Sequence, residues 1–193
     1  FNKNVFKQYS NKSVDSEKIK VVTHHWSSHK NKGFEAYAFI DKLINNPKWT
    51  DKLEFSYIGN SSSEFPLQNS KIIEPLSGVE LAEKLSENDI YLTGSINEPS
   101  GNHHIEAALC GLPILYLNSG CMKEYCDGYG FEYNKENLFE KINEMIRNHE
   151  KFESKIGNYK FHSEFTCSEY YELFKKLIIE KEKFLKIRKF PKI

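Results

Sequence analysis

The sequence is poor in cysteine and has no surplus of charge of either sign. Its 193 residues include four cysteines, none in a C-x-x-C pair. So few cysteines in a domain of this size are typical of a reducing compartment, so we expect free, buried thiols. Their spacing from His103 and His104 matches no zinc knuckle, and we predict no metal site. Because basic and acidic residues both number 27, the neutral chain lacks the basic surplus of nucleic-acid-binding proteins, and we expect no such partner.

Two further absences exclude function classes. No stretch approaches the roughly 20 consecutive apolar residues that a membrane-spanning helix needs. No G-x-G-x-x-G follows the first predicted strand, which argues against a dinucleotide-dependent dehydrogenase. Hydrophobic residues nevertheless make up 39% of the chain, which suffices for the core of one large domain.

Short apolar segments alternate with segments of helical periodicity along most of the chain. Strands are predicted at 18–23, 53–59, 70–76, 89–94, 113–117 and 130–133. Helices are predicted at 34–44, 77–87 (with Ser77 as cap), within 98–113, at 135–148 and at about 163–188. This alternation predicts an α/β fold, a Rossmann-like parallel sheet with helices on both faces. Ligands of such sheets bind beyond the carboxyl ends of the strands.

The segment EPSGNHHIEAALCGLP, residues 98–113, follows the strand at 89–94 and opens a helix. Ser100 or Asn102 is the predicted helix cap, and Gly101 lacks a side chain that would block close approach to the backbone. A helix start with free N–H groups favours anion binding. The carboxylate of Glu106 can accept hydrogen bonds from two hydroxyl groups, as a ribose would offer. The alternative is that Glu106 merely complements the helix dipole and that Glu98 begins a turn.

The same segment resembles the E-x₇-E motif of retaining glycosyltransferases with the GT-B fold, in the family 4 group, which typically reads E-P-x-G-x-x-x-x-E-A-x-x-x-G-x-P. The matching residues are Glu98, Pro99, Gly101, Glu106, Ala107, Gly111 and Pro113. The segment VVTHHWSSHKNKGFEAY resembles the first strand and phosphate loop of the donor-binding domain, ending in Lys32-Gly33. The segment IIEPLSGVELAEKLSENDIYLTGS resembles the part that cradles the nucleotide base.

The resemblance covers roughly residues 18–180 and implies the C-terminal, donor-binding half of a GT-B enzyme. Residues 1–17 are then an interdomain linker, 18–162 the donor-binding domain, and 163–193 a crossover helix with a basic tail. The acceptor-binding half would precede residue 1. Because the catalytic cleft of this fold lies between two halves, we expect this chain alone to be inactive in sugar transfer.

The resemblance also implies a role for individual residues. Glu106 would hold the ribose hydroxyls, and Glu98 would be the catalytic residue beside the donor sugar. Lys32 would neutralise the diphosphate as a point charge. The remaining donor-binding residues implied are His25, Gly33, Leu76, Ser100, Gly101, Asn102 and His103.

One departure concerns the phosphate loop. The family usually has Gly-Arg shortly before the Lys-Gly pair, whereas HHWSSHKNKG contains no arginine. His25, His29 or Lys30 is the candidate substitute, and weaker diphosphate binding is the consequence. The sequence has no D-x-D triplet either, and the resemblance implies a metal-independent enzyme that needs no cofactor besides its nucleotide-diphosphate sugar.

The expected function is hexosyl transfer, with retention, from a nucleotide sugar to a glycan or lipid-linked acceptor in cell-surface polysaccharide or glycolipid synthesis. A nucleotide-sugar epimerase or hydrolase and a non-catalytic nucleotide-sugar-binding module remain alternatives. Residues 175–193 contain eight Lys or Arg and two Glu, with Leu173, Leu177, Phe184 and Leu185 at helical spacing. This segment either packs on a neighbouring domain or contacts an anionic membrane. We expect a cytoplasmic protein, with the inner face of the membrane as the site of any such contact.

Overall fold

A six-stranded, entirely parallel sheet forms the centre of the molecule. The computed structural model describes residues 2–9 and 18–187. The strands are β1 (Ile19–His25), β2 (Leu53–Gly59), β3 (Lys71–Ile73), β4 (Ile90–Thr93), β5 (Ile114–Leu117) and β6 (Gly130–Tyr133). Their order across the sheet is β3-β2-β1-β4-β5-β6, and every ladder is parallel. The predicted α/β fold with a Rossmann-like parallel sheet is confirmed.

Eight α-helices connect and follow these strands within the described residues. They are α1 (Phe34–Ile44), α2 (Gly78–Ser86), α3 (His103–Leu109), α4 (Met122–Cys126), α5 (Leu138–Arg147), α6 (His149–Ile156), α7 (Ser163–Ile179) and α8 (Lys181–Ile187). A single 3₁₀ turn, Lys30–Lys32, precedes α1. The short helices α4 and α6 were not predicted. Strand β3 is shorter than the predicted 70–76, consistent with Pro75, which has no N–H to donate to a ladder.

Side chains of β1 alternate between two hydrophobic clusters, one on each face of the sheet. Val21 packs with α1 and α5, whereas Val22 packs with α2, α3 and α4. The same alternation directs His24 and His25 to opposite faces. The site residues near the end of β1 are therefore divided between two environments.

Part of the predicted linker packs on the domain. Phe6 is buried in the cluster on the α2 and α3 face. The hydroxyl of Ser86 on α2 accepts a hydrogen bond from the backbone N–H of Tyr9 (3.2 Å) and lies 3.2 Å from the carbonyl oxygen of Lys7. Residues 2–9 are thus docked against α2, while residues 1 and 10–17 lie outside the described residues.

Helices α7 and α8 bury none of their described side chains. An apolar stripe runs along them, formed by Tyr170, Leu173, Phe174, Leu177, Phe184 and Leu185. Ile178 and Ile179 beside it are 74% and 80% exposed. Exposed apolar surface of this extent marks an interaction site. The end of the predicted basic tail, residues 188–193, lies outside the described residues.

All four cysteines are free, as expected. Cys110 and Cys126 are buried, Cys121 is half-buried, and Cys167 on α7 is exposed. The expectation of buried thiols therefore fails at Cys167, because α7 itself is exposed. Across residues 2–9 and 18–187, no helix has the length and apolar character needed to cross a bilayer.

Asp41 on α1 fixes the loop between β2 and β3. Its carboxylate accepts hydrogen bonds from the hydroxyl and N–H of Ser70 (2.5 and 2.8 Å), from the N–H of Asn69 (2.9 Å) and from the N–H of Gln68 (3.1 Å). Burial alone would raise the pKa of Asp41, but these hydrogen bonds favour the charged form and lower the pKa. The charged carboxylate therefore ties α1 to this loop.

We expect Asp41→Asn to reduce the free energy of unfolding by about 2 kcal/mol at pH 7, the scale of hydrogen bonds to a charged group. The folded pKa lies below the value of about 3.9 in the unfolded chain. The contribution is therefore fully present above about pH 4 and is lost as the pH falls through the folded pKa. Urea titrations at several pH values would measure this, with the exposed Asp51→Asn as control. An equal effect of the two substitutions would contradict the assignment.

Candidate functional site

The loops after β1 and β4 meet at the point where the strand order reverses. Gly33 has a φ of 87°, and a Cβ atom there would lie 2.2 Å from the carbonyl carbon of Gly94. The N–H of Ile96 donates to the carbonyl oxygen of Asn31 (2.7 Å). Both loops are thus held together at the carboxyl ends of β1 and β4, where doubly wound sheets bind ligands.

A cleft of about 380 Å³ opens at this point on the α3 face and is named here the β1–β4 cleft. The predicted site residues that line it are His25, Lys32, Glu98, Ser100, Gly101, Asn102, His103 and Glu106. His24, Trp26, Ser27, Ser77, Gly78 and Leu81 complete the lining. The fold therefore brings eight of the ten predicted site residues to one cavity.

Gly33 and Leu76 are the two predicted residues outside the lining of this cleft. Gly33 lies at the loop junction and faces a second cleft on the α1 side. Leu76 lies in a small depression with His24, Trp26 and Pro75. Leu76 is therefore close to the β1–β4 cleft, on the side of the segment that leads into α2.

An ion pair spans the two loops inside the cleft. Lys32 Nζ lies 2.8 Å from Glu98 Oε2, and the two side chains are 27% and 12% exposed. A Cβ atom on Gly101 would lie 2.7 Å from Glu98 Cγ and 2.8 Å from His103 Cε1. The absence of a side chain at Gly101 is thus what lets Glu98 turn back towards Lys32.

Glu106 is held by a residue that sequence reasoning missed. His24 Nε2 lies 2.9 Å from Glu106 Oε2, and His24 Nδ1 has no hydrogen-bond partner among the described residues. His24 shares its face of β1 with Val22, which packs towards α3. The period of two along the strand, applied from Val22, would have identified His24 as the neighbour of Glu106.

His25 leaves β1 towards α1, on the opposite face from His24, and still borders the β1–β4 cleft at the end of the strand. Its Nε2 lies 2.6 Å from the hydroxyl of Tyr37, which also accepts a hydrogen bond from the N–H of Gly94 (3.2 Å). Burial, followed by the nearby His24 and Lys32, lowers the pKa of His25 well below its usual value. Burial raises the pKa of Tyr37 to about 12, so the phenol keeps its proton for the imidazole. His25 therefore offers the cleft no formal charge.

Helix α3 begins without the predicted side-chain cap. Asn102 occupies the cap position, but its side chain makes no cap bond to the described chain, and Ser100 lies outside the helix. His103 Nε2 is instead 2.9 Å from Thr93 Oγ1 and 3.4 Å from Ser95 Oγ. The first backbone N–H groups of a helix have no intrahelical acceptor, and Asn102 and His103 place this helix start in the lining of the cleft. Ser77 likewise begins α2 without a side-chain cap bond among the described residues.

The described residues contain no group of three or more His, Cys, Asp or Glu that could hold a metal ion. Burial, followed by the nearby His25, His104 and His24, lowers the pKa of His103 well below its usual value. The charged side chains that line the cleft are Lys32, Glu98 and Glu106.

Comparisons with solved structures show that the fold is that of the C-terminal domain of GT-B glycosyltransferases. The C-terminal domain of a group 1 glycosyl transferase family protein, LpcC of Francisella tularensis, is 16% identical with a TM-score of 0.60; the match covers 88% of this chain and 98% of that one. The sequence matches no protein-family model and no curated protein.

Two longer enzymes share this fold. Sucrose-phosphate synthase of Thermosynechococcus elongatus is 14% identical with a TM-score of 0.68, and the match covers 93% of this chain and 51% of the enzyme. The pneumococcal O-GlcNAc transferase GtfA, solved with UDP and GlcNAc, is 19% identical with a TM-score of 0.61, covering 91% and 38%. The chain therefore spans about half or less of the length of these enzymes.

His104, next to the cleft residue His103, generates a prediction about stability. Its imidazole is fully buried, and neither ring nitrogen has a hydrogen-bond partner among the described residues. Burial, followed by the nearby His24, lowers the pKa of His104 to about 3. An unpaired buried polar group costs about 1–3 kcal/mol.

We expect His104→Leu, which introduces an apolar side chain of similar size, to have a free energy of unfolding equal to or higher than that of the wild type. The pKa of His104 is higher in the unfolded chain than in the folded chain. The wild type therefore loses stability as the pH falls from about 7 towards 3. The advantage of His104→Leu should therefore widen over that range in thermal unfolding. His104→Gln keeps an unpaired polar group and serves as control. Equal destabilisation by both substitutions would show that the ring nitrogens are satisfied.

Proposed function

We propose that the chain is the donor-binding domain of a glycosyltransferase and binds a nucleoside-diphosphate sugar in the β1–β4 cleft. The observation that carries the proposal is the convergence of Lys32, Glu98 and Glu106 on one cleft at the switch point of the sheet. A cation for a diphosphate and two carboxylates for hydroxyl groups match the chemistry of that ligand. The solved complex of GtfA, which shares the fold, contains UDP and GlcNAc.

Glu106 receives the ribose in this proposal. His24 occupies Oε2 of the carboxylate (2.9 Å) and fixes the orientation of the side chain. The two carboxylate oxygens together accept about four hydrogen bonds, so the ribose hydroxyls can share Glu106 with His24. Leu76 then lies on the side of the nucleotide base.

The diphosphate contacts Lys32 and the backbone N–H groups from Gly101 to His103. Negative charge grows on a nucleoside-diphosphate leaving group as the glycosidic bond breaks, and a fixed cation stabilises it. Lys32 is paired with Glu98 in this structure, so donor binding requires Lys32 to exchange a carboxylate for a phosphate. We propose that this site works without a metal ion or a further cofactor.

Glu98 is the proposed catalytic residue, beside the donor sugar, in a reaction that transfers a hexosyl group with retention as in the family 4 group. The acceptor, a glycan or a lipid-linked glycan of cell-surface polysaccharide or glycolipid synthesis, would be held by a separate N-terminal domain. We propose that this chain alone binds the donor but does not transfer the sugar.

The apolar stripe of α7 and α8, together with the exposed Ile178, Ile179 and Ile187, is the proposed contact with an anionic membrane at its cytoplasmic face. Residues 175–187 include five lysines and two glutamates. The apolar residues exposed in this segment include Leu177, Ile178, Ile179 and Ile187. Bulky apolar side chains combined with lysines are typical of helices that lie in the membrane interface.

We expect Glu106→Ala to weaken UDP or GDP binding by roughly ten- to a hundredfold, because a charged hydrogen-bond acceptor is lost. Glu98→Ala should bind bare nucleotide as well as the wild type or better, since it releases Lys32 for the diphosphate. In an enzyme that includes the acceptor domain, Glu98→Ala should abolish most turnover. Calorimetric titration of both variants measures the first two effects.

Melting temperatures control for loss of the contact between Glu106 and His24 in Glu106→Ala. Equal nucleotide affinity of wild type and Glu106→Ala would overturn the site.

Titration in EDTA should leave the affinity for nucleotide unchanged, and a loss of affinity restored by Mg²⁺ or Mn²⁺ would contradict the metal-free site. Incubation of the enzyme with nucleotide sugars, with and without acceptor, separates transfer from acceptor-free epimerisation or hydrolysis and from binding alone.

The membrane contact is tested by sedimentation with phosphatidylcholine vesicles, with and without phosphatidylglycerol. We expect binding to the anionic vesicles. Ile179→Asp should reduce it roughly tenfold, because an apolar side chain that the bilayer would bury is replaced by a charge. Val79→Asp, which alters an exposed apolar residue of α2, is the control. Equal binding of both variants, or of both vesicle types, would instead favour a neighbouring protein domain as the partner of α7 and α8.

A further inference from the structure

A second cleft, of about 420 Å³, lies on the opposite side of the loop junction and is named here the α1 cleft. Its loop residues follow the carboxyl ends of β1 and β4, and Leu117 and Tyr133 are the last residues of β5 and β6. Helices α1 and α5 supply its walls. The α1 cleft therefore opens at the same edge of the sheet as the β1–β4 cleft, and its volume is within the range of small-molecule sites.

The wall of the α1 cleft is predominantly apolar. It is formed by Ala36, Phe39, Phe65, Ile96, Leu117 and Leu138. Phe39 and Ile96 are 40% and 37% exposed, so apolar surface faces solvent at a concave site. Covering this surface with an apolar ligand would remove it from water, which is favourable.

The polar groups beneath this wall already have partners. The hydroxyl of Tyr133 donates to the carbonyl oxygen of Thr93 (3.0 Å). The N–H of Gly94 donates to the hydroxyl of Tyr37 (3.2 Å), and the N–H of Ile96 donates to Asn31. A ligand therefore gains apolar contact here without having to satisfy these groups.

The charged side chains around the α1 cleft balance one another. Lys30 and Lys135 are matched by Glu35 and Glu64. Lys135 Nζ lies 2.6 Å from Glu35 Oε2, and both side chains are largely exposed. No net charge is thus directed at an occupant, in contrast to the lysine and two carboxylates of the β1–β4 cleft.

We propose that the α1 cleft binds the hydrocarbon chain of an amphiphile and recognises the chain rather than the head group. The apolar wall, the satisfied polar groups and the balanced rim fit a chain of methylene or isoprenoid units. The cleft itself does not depend on the proposed donor site. The relation of the α1 cleft to sugar transfer rests on the proposed donor site. With a donor in the β1–β4 cleft, the chain of a lipid-linked acceptor would lie against the loop that leads from Ile96 to Glu98.

The test uses alkyl tetra(ethylene glycol) ethers with six, eight and ten carbons, below their micelle concentrations, and decanoate. Each added methylene that is buried should tighten binding by roughly fourfold. Decanoate has nine alkyl carbons beyond its carboxylate, so it should bind roughly fourfold less tightly than the ten-carbon ether, as chain length alone predicts at a neutral rim. Amide chemical shifts should change at Ala36, Leu117 and Leu138. No nucleotide is present, so failure of the donor proposal leaves this result unaffected.

Phe39→Ser should weaken binding of the ten-carbon ether by roughly tenfold, since it removes a large apolar contact. Val79→Ser is the matched control, because Val79 is 46% exposed on α2 and does not line the cleft. Melting temperatures and far-UV circular dichroism establish that Phe39→Ser is folded. The proposal is overturned by affinity that follows head-group charge instead of chain length, by equal affinity of Phe39→Ser and wild type, or by shifts confined to α7 and α8.

Discussion

The backbone contact between Gly33 and Gly94 is the constraint on which the site depends. A side chain on Gly33 would collide with the carbonyl carbon of Gly94 at 2.2 Å, so the two loops approach this closely only because both residues are glycine. The approach places Lys32 and Glu98, 66 residues apart in the chain, within 2.8 Å of each other. It also separates the two clefts, since Lys32 lines one and Gly33 lines the other.

Three histidines in and beside the cleft, His25, His103 and His104, contribute structure rather than charge. The rings of His25 and His103 lie 4.7 Å apart, and those of His103 and His104 lie 5.1 Å apart. Burial lowers the pKa of His25, His103 and His104, because a charged imidazole is poorly solvated there. Lys32 consequently has no cationic neighbour among these three histidines. The phosphate loop contains no arginine either, so neither source adds a second positive charge to that of Lys32.

The sequence predicted the sheet well because buried parallel strands read as short apolar runs, and β2 and β6 have their predicted bounds. It predicted a common location for Glu98 and Glu106 because both follow one strand. It did not predict the ion pair of Lys32 with Glu98, since pairing across loops depends on sheet order. The caps at Ser77 and Asn102 were wrong in their side-chain bonds, because capping propensity does not fix the rotamer.

The entirely parallel sheet has a consequence for the order of folding. Within the described residues every ladder joins strands separated by a crossover, and Val21 of β1 pairs with Ile90 of β4, 69 residues later. The other ladders join residues much closer in sequence, such as Ser56 with Lys71. Closing a longer loop costs more chain entropy, and non-local pairing slows folding. The ladder that creates the β1–β4 cleft is thus the most expensive to close, and ligand binding at this cleft would report the completion of folding.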